Sequence, residues 1–347
     1  MEASRFNETR EDIGAGSSAK AKGYNLMSVS RLLDWTPFFA GAFALAVLVS
    51  PPPATALDWS GVPTKEVVLF SPGQASFEWS LTQADHSGAK KFKEGKSCLD
   101  CHGGEEAEIG AKIASGQKLE PNPIAGKAGS IKASVQAAND GDRLYVRISW
   151  PAPPAASGPK MDPKFETKVT VMIDDGTLVE AKRAGCWASC HDDAIGMASA
   201  QVGKDLTKYI VQSRSKIARQ GGGENFKSSA ELADALKAGK FLEFWQARLN
   251  KGAAAVAADG YILEKRHASD NPLVTAEATF ANGAWTVVLS RKLIVGQPGR
   301  KDIVAGKTYN IGIAIHDSHA EHRFHQVSLG RTLVLDQGKA DLVAVKK

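Results

Sequence analysis

All four cysteines of this 347-residue chain fall into two short motifs, and each motif ends in Cys-His. Cys98-Leu99-Asp100-Cys101-His102 is C-x-x-C-H, and Cys186-Trp187-Ala188-Ser189-Cys190-His191 is C-x-x-x-C-H, one residue longer. C-x-x-C-H is the signature of covalent c-type haem attachment. Two thiols add across the two vinyl groups of one porphyrin, and the adjoining imidazole is then placed on the iron. The spacing predicts two covalently bound haems c. Cys98, Cys101, Cys186 and Cys190 are the expected attachment points, and His102 and His191 the expected first axial ligands. The longer motif is the weaker signal taken alone. Three rival readings use the same residues. A disulfide within either pair would close a trivially small loop and would not require the histidine. One haem plus one disulfide is a second alternative, and a single zinc site drawing on both pairs is a third.

Haem is attached outside the cytoplasm, so such a chain needs export. Phe38–Val49 is an apolar run, short of the roughly 20 residues that span a bilayer. Arg31 precedes it, and Pro51-Pro52-Pro53 is followed by Ala54-Thr55-Ala56, an A-x-A cleavage pattern. Residues 1–56 therefore read as a signal peptide, with Met27 as an alternative start, and the mature chain would begin at Leu57 in the periplasm. An uncleaved anchor, lengthened by Trp35 and Pro37, is the other reading and the only one that brings membrane contact. The net charge of +5 comes without a Lys/Arg-dense patch, which argues against a nucleic-acid partner. With 43% hydrophobic and 23% charged residues, collagen, coiled coil and wholesale disorder are excluded.

Two regions follow. Residues 57–125 are rich in glycine and lysine with little periodicity, as expected of loops and short helices built around a haem. From 126 to 347 the pattern is that of strands. Ile131–Ala138 and Leu144–Trp150 alternate around the turn Asn139-Asp140-Gly141-Asp142, a hairpin signal. Lys168–Ile173, Leu273–Phe280, Ala284–Ser290 and Tyr309–His316 continue the series, with a second turn at Asn282-Gly283, and Phe324–Leu335 closes it. The expected fold class is mainly β: an antiparallel β-sandwich preceded by a small loop- and helix-rich haem segment. A helical insertion is expected over about 181–250. Leu206, Tyr209, Ile210 and Ile217 suggest one helix in it, and Ala230–Leu249 another, which Gly239 divides.

Each iron also needs a second axial ligand. His86 lies twelve residues before Cys98 and is the candidate for the first haem. Half of the eight histidines crowd into His316–His325, at 316, 319, 322 and 325. On a strand, His325, Val327 and Leu329 share a face, so His325 would point at a buried second haem. His319 is next in order, and Met161 and Met197 are thioether alternatives. A separate copper or zinc site in the histidine cluster is the rival reading. His267, among charged residues, reads as a solvated loop position.

The segment Gly185–Met197 (GCWASCHDDAIGM), the downstream run IGIAIHDSHAEHRFHQVSLG and the stretch Phe70–Gly110 together resemble the haem-binding subunit family of ethylbenzene dehydrogenase and related molybdenum enzymes. The resemblance is to its exported, c-type branch, and covers most of residues 65–335. It implies a β-sandwich with haem held at one end. Relatives without the covalent link use methionine and lysine ligands, and Met161 and His325 fall roughly at those places. Cys186, Cys190 and His191 depart from that pattern and make His191 the safer first ligand.

The function expected from these residues is single-electron transfer by an exported dihaem cytochrome in a respiratory or photosynthetic chain. It would serve periplasmic redox proteins, a molybdenum-containing oxidoreductase among them. Glu105, Glu106, Glu108, Asp192 and Asp193, next to the motifs, would lower the potentials or are simply solvated. Lys90, Lys91, Lys93 and Lys96 would steer an acidic partner, or are solvated too. The alternative classes are a haem enzyme reducing a small oxyanion or peroxide at a five-coordinate iron, and a haem-based sensor or binding module.

Overall fold

The computed structural model describes residues 57–186 except 76 and 85, together with 210–215 and 226–347. Ala56–Lys347 form one compact unit. The strands in chain order are β1 (Lys65–Phe70), β2 (Ser130–Asn139), β3 (Arg143–Pro151), β4 (Thr167–Asp174), β5 (Leu242–Leu249), β6 (Val256–Ile262) and β7 (Arg266–Ala268). They continue with β8 (Thr275–Ala281), β9 (Ala284–Lys292), β10 (Tyr309–His316), β11 (Gln326–Ser328), β12 (Arg331–Leu335) and β13 (Leu342–Lys346). The helices are α1 (Phe77–Ser80), α2 (Ala89–Lys93), α3 (Cys98–His102), α4 (Glu106–Ala114), α5 (Val179–Ala184) and α6 (Ser229–Lys237). Among the described residues no helix is long and apolar enough to cross a membrane.

The strands run in the order β7-β6-β5-β4-β10-β11-β1-β2-β3-β9-β8, and β12 and β13 make a second bridge from β10 to β2. Pairing is antiparallel except at β12–β13 and β13–β2. The two halves of this ribbon fold onto one another. Val169, Val171, Trp245 and Ile313 from one half share a core with Val146, Ile148, Val287 and Leu289 from the other. This is the expected mainly-β sandwich, produced by alternation: each of these strands buries every second residue between the layers. Both predicted hairpin turns form. Asn282 and Gly283 both take positive φ, at 52° and 77°, as a two-residue turn between twisted strands requires.

A second core lies on the outer face of the β4–β5–β6–β10 half. Met172, Phe244, Ala314 and Val327 point outwards there and meet Phe77, Phe92, Cys98, Ala184 and Cys186 from the helices. The helices around the first motif are thus packed on the outside of the sandwich. Arg183 on α5 donates to the Phe92 carbonyl at 3.0 Å. The buried Arg323 makes a two-pronged pair with Glu120, at 2.8 and 3.0 Å.

Three expectations need correction. Residues 57–125 contain a strand, β1, which joins β11 to β2 in the main ribbon. The helix expected over Ala230–Leu249 is two elements. A capping box between Ser228 and Glu231 starts α6, and Gly239, at φ +74°, ends the helical stretch. Leu242–Leu249 is then β5, paired on both edges. Its Leu, Glu and Ala residues favour helix locally, but two flanking strands override that preference. The helical insertion therefore stops short of 250. Third, His267 is on β7, half-buried and stacked on Tyr261 at 4.4 Å, with Nε2 2.8 Å from Glu264. Of Leu206, Tyr209, Ile210 and Ile217, which suggested a helix, only Ile210 is among the described residues; it is buried just before a short 3₁₀ turn at Val211–Ser213.

Candidate haem sites

The first site is built on one turn of helix. The Ser97 hydroxyl accepts from Asp100 N at 3.1 Å, and the Asp100 carboxylate accepts from Ser97 N at 2.8 Å, so α3 begins at Cys98. Residues three apart on a helix share a face, which sets Cys98 and Cys101 side by side. Cys98 is buried and Cys101 exposed. Burial, with Cys101 beside it, pushes the Cys98 thiol up to about 12. His102 ends the helix, and its Nδ1–H donates to the Glu105 carboxylate at 3.0 Å. That bond selects the tautomer with its lone pair on Nε2.

His86 faces it. The ring stacks on Trp79 at 5.1 Å, and Nδ1–H donates to the Ser80 carbonyl at 2.9 Å, again leaving the lone pair on Nε2. A side chain at position 88 would put its Cβ 3.0 Å from that nitrogen, so Gly88 keeps the approach clear. The His86 and His102 ring centres are 6.2 Å apart. An imidazole nitrogen binds a transition metal at about 2.0–2.1 Å, so rings on opposite sides of one iron have centres about 6 Å apart. The separation and both tautomers suit an iron between the two rings.

The second site is a cavity of about 360 Å³ on the outer face of the sandwich. Register explains its lining. Met172 is level with Phe244 on β5 and Gly312 on β10, Thr170 with Gln246 and Ala314, and Lys168 with Arg248 and His316. The floor therefore changes from apolar to polar along the strands. Cys186 is at the apolar end, delivered by α5, which packs against α3. A Cβ on Gly312 would come within 2.7 Å of the Cys186 backbone nitrogen, and one on Gly185 within 2.4 Å of Gly330. Glycine at these points lets the motif segment lie on the sheet.

His325 lies just before β11, is 4% exposed and lines this cavity; the face it shares with Val327 and Leu329 is the outer one. Its Nδ1–H donates to the His322 carbonyl at 2.6 Å, which leaves the lone pair on Nε2. His316 stacks on it at 4.5 Å and donates from Nε2 to the same carbonyl at 3.1 Å. His319 does not join them. It has φ +59°, bonds the Asp162 carbonyl through Nδ1 and lines a different cavity with Trp150 and Trp285. Met161 is half-buried, its N–H donating to the His319 carbonyl, and does not line the 360 Å³ cavity. Met172, which the sequence reading passed over, does line it and is 4% exposed. Its signal was alternation: Val171 and Ile173 belong to the inner core, so Met172 had to face out. Cys190, His191 and Met197 lie outside the described residues. Among the described residues no group of three or more His, Cys, Asp or Glu is arranged to hold one metal ion.

Buried charge surrounds both sites. Lys168 pairs with Asp162 at 2.8 Å and also with Glu321. Burial alone would raise the Asp162 carboxyl, but the Lys168 ammonium and the N–H groups of Lys164 and Phe165 outweigh it and hold Asp162 at about 2. Of the acidic residues after the first motif, Glu106 is buried against Arg331 at 3.4 Å, while Glu108 pairs with Lys112 on the surface.

Fold and sites together describe a β-sandwich that carries haem-attachment sequences. The family described as ethylbenzene dehydrogenase matches residues 59–275 and 267–328. Cytochrome c-552 of Stutzerimonas stutzeri is 39% identical over 296 residues, 85% of this chain and 92% of the relative. Cytochrome c-551 of Rhodocyclus tenuis is 32% identical over 294 residues, 84% of this chain and 99% of the relative. The chain belongs to the ethylbenzene dehydrogenase-related cytochrome c family. Among solved structures it is similar to a family 9 carbohydrate-binding module from Caldicellulosiruptor kristjanssonii in complex with cellotriose. That match has 11% identity and a TM-score of 0.26, and covers 58% of this chain and 65% of that one. A putative carbohydrate-binding protein from Bacteroides uniformis matches at 10% identity and a TM-score of 0.28, covering 58% and 70%.

Proposed function

We propose that the chain is an exported dihaem c-type cytochrome that passes single electrons in a periplasmic respiratory or photosynthetic chain. The observation that carries this reading is the facing pair His86 and His102, 6.2 Å apart, beside Cys98 and Cys101. The relatives named cytochrome c support it. Haem, once bound, supplies reversible one-electron exchange at its iron. The chain's own part is to hold and tune. Cys98 and Cys101 would anchor the first porphyrin, and His102, oriented by Glu105, and His86, oriented by Ser80 and Trp79, would hold its iron. Cys186 and Cys190 would anchor the second, and His191 and His325 would hold its iron. Contact between α3 and α5 supports a short route between the two attachment sites.

Exposed Lys90 and Lys91 on α2, with Lys93 and Lys96 beyond them, precede the first motif and form a cationic surface. It suits an acidic redox partner, a molybdenum-containing oxidoreductase among the candidates. A pyridine haemochrome assay with intact mass tests the reading: two haems should be counted per chain, on a polypeptide beginning near Leu57. A colourless mature protein would refute it. A reduced spectrum that shifts under carbon monoxide would instead put an open position on one iron, as a haem reductase needs. Replacing His86 with alanine should convert the first haem to a high-spin ferric spectrum while covalent attachment persists.

A further inference from the structure

The 360 Å³ cavity has one cationic end, and nothing in the electron-transfer reading accounts for it. Arg248 donates from Nε to the Gln246 side-chain oxygen at 3.0 Å, and Arg266 donates from Nη2 to the same oxygen at 3.2 Å. Two guanidinium groups thus converge on one neutral acceptor. An anion close by would ease their mutual repulsion. Arg266, exposed on β7, lies across the Phe244 ring, 4.4 Å from its centre. The wider lining repeats the imbalance. Lys164, Lys168, Arg248 and Arg266 face only two carboxylates, Asp162 and Glu321, which leaves an excess of two positive charges among the described lining residues. Both of these carboxylates are already engaged by Lys168.

The cationic end is also at the correct distance from the thiol. Cys186 is over Gly312, level with Met172, whereas Arg248 is level with Lys168, four residues further along the strands. Four strand residues span about 13 Å. A porphyrin is polar at one edge only: its two propionates leave from the edge opposite its two vinyl groups. A haem held by its vinyl edge at Cys186 therefore sends both propionates towards Arg248 and Arg266. We infer that Arg248 and Arg266 are the propionate clamp of the second haem, gripping its two carboxylates. Guanidinium is suited to this, because its fork meets a carboxylate with two parallel hydrogen bonds.

This rests on the two-haem reading, and the test separates the two. The full chain is matured with haem as wild type, Arg248→Gln, Arg266→Gln, the double Gln variant and the double Arg→Lys variant. Intact mass counts the haems; one adduct on the wild-type chain would remove the reading beneath the clamp and the clamp with it. With two adducts present, resonance Raman of the propionate bending modes and a redox titration give the answer. The double Gln variant should shift the propionate bands and lower the midpoint potential of one haem only, because cations near a haem favour the ferrous state. The Lys variant should restore most of the potential, since it keeps the charge, but not the band positions, since it loses the fork. Unchanged bands and unchanged potentials in a dihaem double Gln variant would overturn the clamp.

Discussion

At the scale of single residues the sites depend on atoms that are absent as much as on those present. Gly312 interrupts an otherwise apolar strand, YNIGIAIH, and a glycine inside a strand pattern marks a close approach by another backbone. The visitor is Cys186. Gly312→Ala should push the second motif off the sheet, at a cost of about 1–3 kcal/mol as overpacking. The expected outcome is a chain carrying one haem in place of two, read by intact mass, with the first haem's spectrum unchanged. Glu105 acts differently. A carboxylate hydrogen-bonded to the far nitrogen of a ligating histidine makes that imidazole more basic and favours ferric iron. Glu105→Gln should raise the potential of the first haem in a redox titration, leaving the second where it is.

Among the elements, β4 shows how one strand serves two cores. Val169, Val171 and Ile173 fill the sandwich, while Thr170 and Met172 floor the second site, because side chains alternate at every residue. The strand ends in an acidic turn that ties it to the chain beyond β9. Asp175 pairs with Lys301 at 2.6 Å and Lys307 at 2.8 Å. Burial would raise its carboxyl, but these two ammonium groups dominate and hold it at about 2, against 3.8 for the free side chain. The unfolded chain therefore binds this proton first. The stability it contributes is complete above the ordinary carboxylate range and is lost as pH falls towards 2. Asp175→Asn should cost about 1–2 kcal/mol at neutral pH, allowing for its partial exposure, and should flatten the acid limb of a stability–pH curve between about 4 and about 2. α2, by contrast, is a carrier of surface charge. Changing Lys90, Lys91 and Lys93 to Gln should cut the association rate with an acidic redox partner by roughly tenfold at low salt, with little effect on dissociation. Stopped-flow traces over a salt series would show it as a flattened ionic-strength dependence.

For the molecule as a whole, attachment chemistry and core patterning were legible in the sequence, and the joining of the two was not. Each motif is local, so its chemistry follows from neighbours in the chain. The hairpins β2–β3 and β8–β9 are local too, with turn residues that force them. The shared face of His325, Val327 and Leu329 could be read from alternation, but that this face is the outer one, and that β11 itself is only Gln326–Ser328, followed from pairing with β10 and β1. The strand β1, hidden in the haem segment, could not be read, because its six residues gain their pairing from β2 and β11, sixty and more than two hundred and fifty positions away. Met172, Arg248 and Arg266 were missed for the same reason. Each is ordinary in its own segment and acquires a role only when register sets it beside Cys186 or across from its neighbour. By itself, then, the sequence determined that the chain carries the attachment motifs of haem c, since thiol spacing and turn chemistry are short-range. Which side chains enclose that group, and which charges face its edges, was decided by tertiary structure alone, because strand pairing and burial bring together residues that share no neighbourhood in the chain.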